Sequence, residues 1–178
     1  MKRFEGFECD LQAYSDDIAM AVMTLLMSGG QGIAFAESCT GGGCMQRMAR
    51  IPGMSAVLRG GVVAYATDLK VTQLGVDNNF IERCGVVSRE TAIAMAAGVA
   101  CRFGADIGIA TTGYAGPGGG TAAYPVGSVC FGIFEKGGGT GYSECAMFEG
   151  SRERVMEQAS VYALVLVEKY LKAKSGIK

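Results

Sequence analysis

Ala36-Glu37-Ser38-Cys39-Thr40-Gly41-Gly42 follows a short apolar run, Gly32-Ile33-Ala34-Phe35, and precedes a segment able to turn helical. This order predicts a buried strand over 33–36, a turn, and a helix over 42–50 that ends before Pro52. A strand-to-helix turn exposes a side chain and presents backbone N–H groups to whatever that side chain attacks. Ser38 and Cys39 therefore share a position suited to a nucleophile. The chain contains no histidine. A nucleophile here cannot use imidazole as its base, and lysine becomes the leading candidate.

The alternation of helix and strand continues in both directions. Upstream, Ile18, Val22, Leu25 and Leu26 form a helical stripe over 16–27, with Ser15 as its cap and Gly29 as its stop. Residues 1–15 read as a loose arm. Downstream, 57–65 reads as a strand kinked at Gly60-Gly61, and 67–74 as a short helix. Ser88 caps a longer helix to Phe103 whose small residues suit close packing. A strand over 106–111 leads into the glycine-rich loop 113–120. Strands over 126–135 and 142–148, joined by Lys136-Gly137-Gly138-Gly139, read as an antiparallel hairpin. Ser151 caps a final helix reaching about Leu171. The expected fold is a single-domain α/β protein: a three-layer α/β/α sandwich on a mixed, mainly parallel sheet.

Composition narrows the classes of function. A chain of 178 residues, nearly half of them apolar, builds one substantial core. A formal net charge of −1, with no run of like charge, argues against gripping nucleic acid or an anionic membrane by bulk electrostatics. No apolar run reaches the ~18–20 residues that span a bilayer. Seven cysteines, scattered and without a C-x-x-C pair, read as reduced thiols of a cytoplasmic protein rather than a metal site.

Four segments can carry chemistry. The turn at 37–42 is one; its bland reading is a helix cap. Gly60-Gly61-Val62-Val63-Ala64-Tyr65 leads into Ala66-Thr67-Asp68-Leu69-Lys70. If Tyr65 ends a strand and Lys70 lies in the next helix, both converge beside Ser38. Thr111-Thr112-Gly113-Tyr114-Ala115-Gly116-Pro117-Gly118 follows a buried strand, where open sheets bind ligands, and its glycines can cradle an anion. It lacks the Gly-Lys-Ser/Thr ending of a phosphate-binding P-loop. Arg152, near the start of the last helix, could reinforce phosphate binding.

Together these segments resemble the CinA C-terminal domain family, the nicotinamide-nucleotide amidases. The resemblance covers about residues 30–160. It rests on Glu37-Ser38-Cys39-Thr40-Gly41-Gly42, Pro52-Gly53-Met54-Ser55, Gly60-Gly61 with Tyr65 and Lys70, Val87-Ser88, Thr112-Gly113-Tyr114-Ala115-Gly116-Pro117, Pro125-Val126-Gly127 and Gly150-Ser151-Arg152. It implies hydrolysis of the carboxamide of nicotinamide mononucleotide to nicotinate mononucleotide and ammonia, without metal or cofactor. It implies Ser38, Tyr65 and Lys70 as the catalytic group. Substrate contacts would fall around Ser55, Thr112 and Arg152, with Cys39, Thr40, Gly41, Gly42, Gly113 and Gly116 completing the site. A homodimer and a stand-alone form without the N-terminal domain of some members are also implied. Two residues depart from the pattern: Ser151 stands where aspartate is usual, and Met156 where a second arginine is common.

On this reading Ser38 Oγ attacks the amide, and Lys70, directly or through Tyr65, takes its proton. Lys70 must then be neutral, which burial against apolar walls would favour and a close Asp68 would oppose. Backbone N–H groups of residues 39–41 are the candidate oxyanion donors. Cys39 is the rival nucleophile. Two other functions stay open: a nucleotide-binding regulatory module without turnover, and an amidase for another small amide.

Overall fold

The computed structural model describes residues 1–3, 10–138 and 141–176. A six-stranded sheet runs in the order β1 (Lys2–Arg3), β6 (Tyr142–Met147), β5 (Ser128–Glu135), β4 (Ile107–Gly113), β2 (Ile33–Glu37), β3 (Leu58–Val63). The β1/β6, β2/β4 and β2/β3 pairs are parallel, and β4/β5 and β5/β6 are antiparallel. The expected mixed, mainly parallel sheet with a late hairpin is what forms; part of the hairpin turn, including Gly139, lies outside the described residues.

Helices α1 (Leu11–Gly29), α2 (Gly43–Ala49) and α6 (Arg152–Lys174) cover one face of the sheet. On the other lie α3 (Thr67–Leu74), α4 (Asn78–Cys84) and α5 (Arg89–Phe103). Alternation within β2 supplies both cores: Ile33 and Phe35 point into the first, Ala34 and Ala36 into the second. Alanine and glycine on the second face let α5 lie close. A Cβ at Gly108 would sit 1.9 Å from the Ala96 carbonyl oxygen, and one at Gly132 would sit 2.3 Å from that of Ala92. We expect Gly108→Ala to destabilise the fold by about 2–3 kcal/mol, since backbone rather than a movable side chain blocks the methyl. Urea unfolding of the two proteins measures this.

The structure corrects the sequence reading at several points. Residues 1–15 are not a loose arm throughout. Lys2–Arg3 pairs with β6, and α1 starts at Leu11, where the Asp10 side chain accepts from Gln12 N and Ala13 N; residues 4–9 lie outside the described set. Ser15 is therefore not a cap. It is fully buried inside α1 and accepts from Arg47 Nη1 at 3.1 Å. Helix α4 was missed because only Ile81 is buried in it, too little for a periodic signal. Not all described cysteines are reduced: the β5/β6 register sets Cys130 directly opposite Cys145, and the two are disulfide-bonded. The small residues of 92–100 do suit close packing: Ala92, Ala96, Val99 and Ala100 are the buried face of α5, turned toward the sheet. No helix among the described residues is long and apolar enough to cross a membrane.

Candidate active site

The chain leaves β2 toward α2 on one face and leaves β3 toward α3 on the other. Connections that part in this way open a crevice at the carboxyl ends of the strands. Ser38 is the first residue past β2, held there by its N–H donating to the Thr111 carbonyl of β4 (3.1 Å). A pocket of about 210 Å³ opens at this point, with Ser38, Cys39, Tyr65, Thr112, Gly116 and Arg152 in its wall. Gly113, the last residue of β4, contributes backbone. The volume falls below the ~300–1,000 Å³ usual for ligand clefts, so a nucleotide-sized ligand would project past the mouth.

Lys70 stands behind Ser38. It reaches inward from the first turns of α3, is 0% exposed, and its Nζ lies 3.2 Å from Ser38 Oγ and donates to the Ala64 carbonyl at 2.8 Å. Ala64 is itself tied to β2, its N–H donating to the Glu37 carbonyl (2.8 Å). Burial lowers the lysine pKa from its ordinary value near 10.5, against a smaller opposing influence from Cys39. Asp68 is exposed, and no ion pair joins Lys70 among the described residues. The lysine is thus pushed toward the neutral amine with no carboxylate to hold its proton.

Cys39 sits in the same wall but in a different state. Burial pushes its thiol up to about 12, with the nearby Glu37 charge adding to the effect. A thiol so placed is a poor source of thiolate.

Tyr65 and Arg152 bridge the pocket mouth. Arg152 donates from Nη1 to the Gly116 carbonyl (2.6 Å) and from Nη2 to the Tyr65 hydroxyl. Tyr65 is 56% exposed, and no hydrogen bond joins it to Ser38 or Lys70. The route from serine to lysine is direct. Thr112 is buried and spends its hydroxyl on the Val86 carbonyl (2.8 Å).

Four residues named from the sequence add no side chain to the pocket wall. Thr40 is buried beneath the turn, donating to Glu37 Oε2 and paired with Thr111 Oγ1, both at 2.7 Å. Gly41 donates to the Ser38 carbonyl (3.1 Å), so its N–H is not open to an oxyanion; Cys39 N–H and Thr40 N–H have no acceptor elsewhere in the described chain. Gly42 is the left-handed cap of α2 (φ +103°), a conformation that only glycine adopts freely. Ser55 is exposed in a 3-10 turn before β3, at the opposite end of that strand, roughly 20 Å away at the rise of a strand. Ser151 caps α6 by accepting from Arg154 N (3.3 Å), and Met156 packs against the apolar core below.

Sequence reasoning quoted Glu37 without giving it a role. Its burial at the end of β2, followed by a Thr-Gly-Gly turn, was the available signal.

Known proteins resemble this chain in sequence and fold. The family model for the CinA C-terminal domain matches residues 15–171. A CinA-like protein of Mycolicibacterium vanbaalenii is 46% identical over 80% of this chain and 33% of its own length. Another, from Synechocystis, is 50% identical over 69% of this chain and 30% of its own length. The chain therefore spans about a third of the length of these curated relatives. Among solved structures, a CinA superfamily protein of Klebsiella pneumoniae superposes with a TM-score of 0.84 at 30% identity, covering 89% of this chain and 98% of that one. A competence/damage inducible protein of Agrobacterium tumefaciens gives 0.82 at 33% identity, covering 97% and 99%. Sequence and fold agree with the resemblance read from the motifs: the chain belongs to the CinA C-terminal domain family.

Proposed function

We propose that the protein is a cytoplasmic amidohydrolase that deamidates nicotinamide mononucleotide to nicotinate mononucleotide and ammonia. The observation that carries this is a buried lysine amine, 3.2 Å from a serine hydroxyl at the floor of an open pocket. Ser38 Oγ attacks the carboxamide carbon as its proton passes to Lys70. The tetrahedral oxyanion is met by the N–H groups of Cys39 and Thr40. The ammonium of Lys70 returns the proton to the departing nitrogen, and ammonia leaves. Water, deprotonated by the same amine, cleaves the acyl-enzyme. The chain's own groups supply every proton transfer in this scheme. Arg152 and the glycine-rich loop hold the 5′-phosphate at the mouth, Arg152 exchanging Tyr65 or Gly116 for phosphate oxygens. We place the working form as a homodimer.

One observation favours a second reading. Arg152 is already engaged by Tyr65 and Gly116, and the pocket is small, so a compact amide without phosphate would fit with no rearrangement. The test of both is ammonia release from nicotinamide mononucleotide beside nicotinamide riboside and nicotinamide. Turnover of the mononucleotide, with kcat/KM at least about 10²-fold above the riboside, is expected. In Arg152→Ala that preference should fall to within about tenfold, two charge-assisted hydrogen bonds being lost. Equal turnover of all three amides supports the smaller substrate. Binding of the mononucleotide without ammonia supports a regulatory module.

A further inference from the structure

Glu37 is the most heavily used polar side chain near the site, and the scheme above gives it no part. It is the last residue of β2 and is 1% exposed. Its Oε2 accepts from Thr40 Oγ1 (2.7 Å), Gly42 N (2.9 Å) and Cys44 N (3.1 Å), and its Oε1 accepts from Met45 N (2.8 Å). The open N–H groups of the first turn of α2 are thus filled from inside by the chain's own carboxylate. An external anion has no place there.

The same carboxylate grips both ends of the nucleophile turn. On one side its backbone belongs to β2, one residue before Ser38. On the other its side chain holds Gly42, Cys44 and Met45. Between them Thr40 Oγ1 joins Glu37 to Thr111 Oγ1, and the Thr111 carbonyl receives the Ser38 N–H. This closed loop of hydrogen bonds surrounds a turn in which Cys39 N–H and Thr40 N–H alone lack an acceptor elsewhere in the described chain.

We infer that Glu37 is a positioning residue: it fixes the 38–40 turn so that the Ser38 hydroxyl and the Cys39 and Thr40 N–H groups face the same carbonyl. The inference rests on the reading of Ser38 as nucleophile. Glutamine cannot replace the carboxylate here. Four donors converge on its two oxygens, and an amide would offer one oxygen and set N–H against N–H. A buried donor left unmet would move the turn, and displacements near 1 Å at a reacting centre cost about 10²-fold in rate.

The test compares wild type, Glu37→Gln and Thr111→Val, each as the full chain and each checked by circular dichroism. Two probes are used. The first is nicotinamide mononucleotide and its thioamide analogue, whose sulfur is a poor match for oxyanion donors. The second is p-nitrophenyl acetate, which reports acylation of Ser38 whatever the natural substrate. Glu37→Gln should lower kcat about 10²-fold with KM within threefold, and should shrink the wild-type preference for oxygen over sulfur at least tenfold. Thr111→Val should show the same pattern at about a tenth of the effect, and it decides the matter if the glutamine variant does not fold. A normal kcat overturns the inference. So does a loss with the oxygen-over-sulfur ratio unchanged, which marks a purely structural role. If wild type is acylated by the ester but releases no ammonia from the mononucleotide, the substrate reading fails, and Glu37 stands or falls on acylation rates. If wild type does neither, the nucleophile assignment and this inference fail together.

Discussion

Lys70→Met should lower kcat about 10³-fold while leaving KM within a few-fold. Among the described residues the amine is the only titratable side chain bonded to Ser38, so its loss removes the base for attack and the acid for ammonia departure together; general acid–base groups contribute about 10²–10⁴-fold. Methionine keeps the length and apolar stem, so the pocket wall survives. The pH profile carries a second expectation. Wild-type kcat/KM should rise with pH along a limb set by Lys70, because the neutral amine is the active form and burial lowers its pKa from near 10.5. The methionine variant should lack that limb. Stability moves in a linked way. A lysine with a lowered folded pKa binds fewer protons in the folded than in the unfolded chain, between that lowered value and 10.5. Across this window wild type gains stability as pH rises, and the variant does not. The melting temperature of Lys70→Met relative to wild type should therefore fall as pH rises through that window toward 10.5. A variant with near-normal kcat removes lysine from the mechanism.

The parts of this fold legible in the sequence are those where a local pattern and the tertiary structure ask for the same thing. Apolar residues at 33–36 before a Ser-Cys-Thr-Gly-Gly turn name a strand and a turn, and Ser88 caps α5 by accepting from Thr91 N at 3.0 Å, as its place before the helix suggests. The pairing of Ser38 with Lys70 was legible for another reason. A chain without histidine leaves few bases, and the Tyr65-to-Lys70 spacing carries one from a strand end into a helix. What stayed hidden depended on distance in sequence. The disulfide needs the β5/β6 register, which is set by a hairpin turn and not by the cysteines themselves. The Tyr65–Arg152 contact joins residues 87 apart. Glu37 could be called buried from its strand, but its role needs the direction of α2, which brings three backbone N–H groups back onto the strand end. Ser55 fell at the wrong end of β3 for one chain because motif order along a sequence says nothing about which edge of a sheet a turn occupies.

Ser38→Ala should reduce turnover by about 10⁴-fold or more, the loss seen when a covalent nucleophile is deleted and only binding and oxyanion donors remain. Cys39→Ala should stay within about tenfold of wild type, because it deletes a thiol and keeps the backbone N–H that the scheme uses. The contrast follows from the electrostatics of two adjacent residues. Burial pushes the Cys39 thiol up to about 12, which leaves very little thiolate at neutral pH. Among the described residues no hydrogen bond joins its thiol to an amine, whereas Ser38 Oγ sits 3.2 Å from Lys70 Nζ. A serine needs no standing population of alkoxide, since attack and proton transfer occur together. Labelling tests the same claim without a substrate. A fluorophosphonate should add to the peptide containing residues 38 and 39, and the adduct should vanish in Ser38→Ala and in Lys70→Met but persist in Cys39→Ala. The opposite pattern, with turnover kept by Ser38→Ala and lost in Cys39→Ala, would make the sulfur the nucleophile. Lys70 would then serve to stabilise a thiolate and not to receive a proton in the transition state.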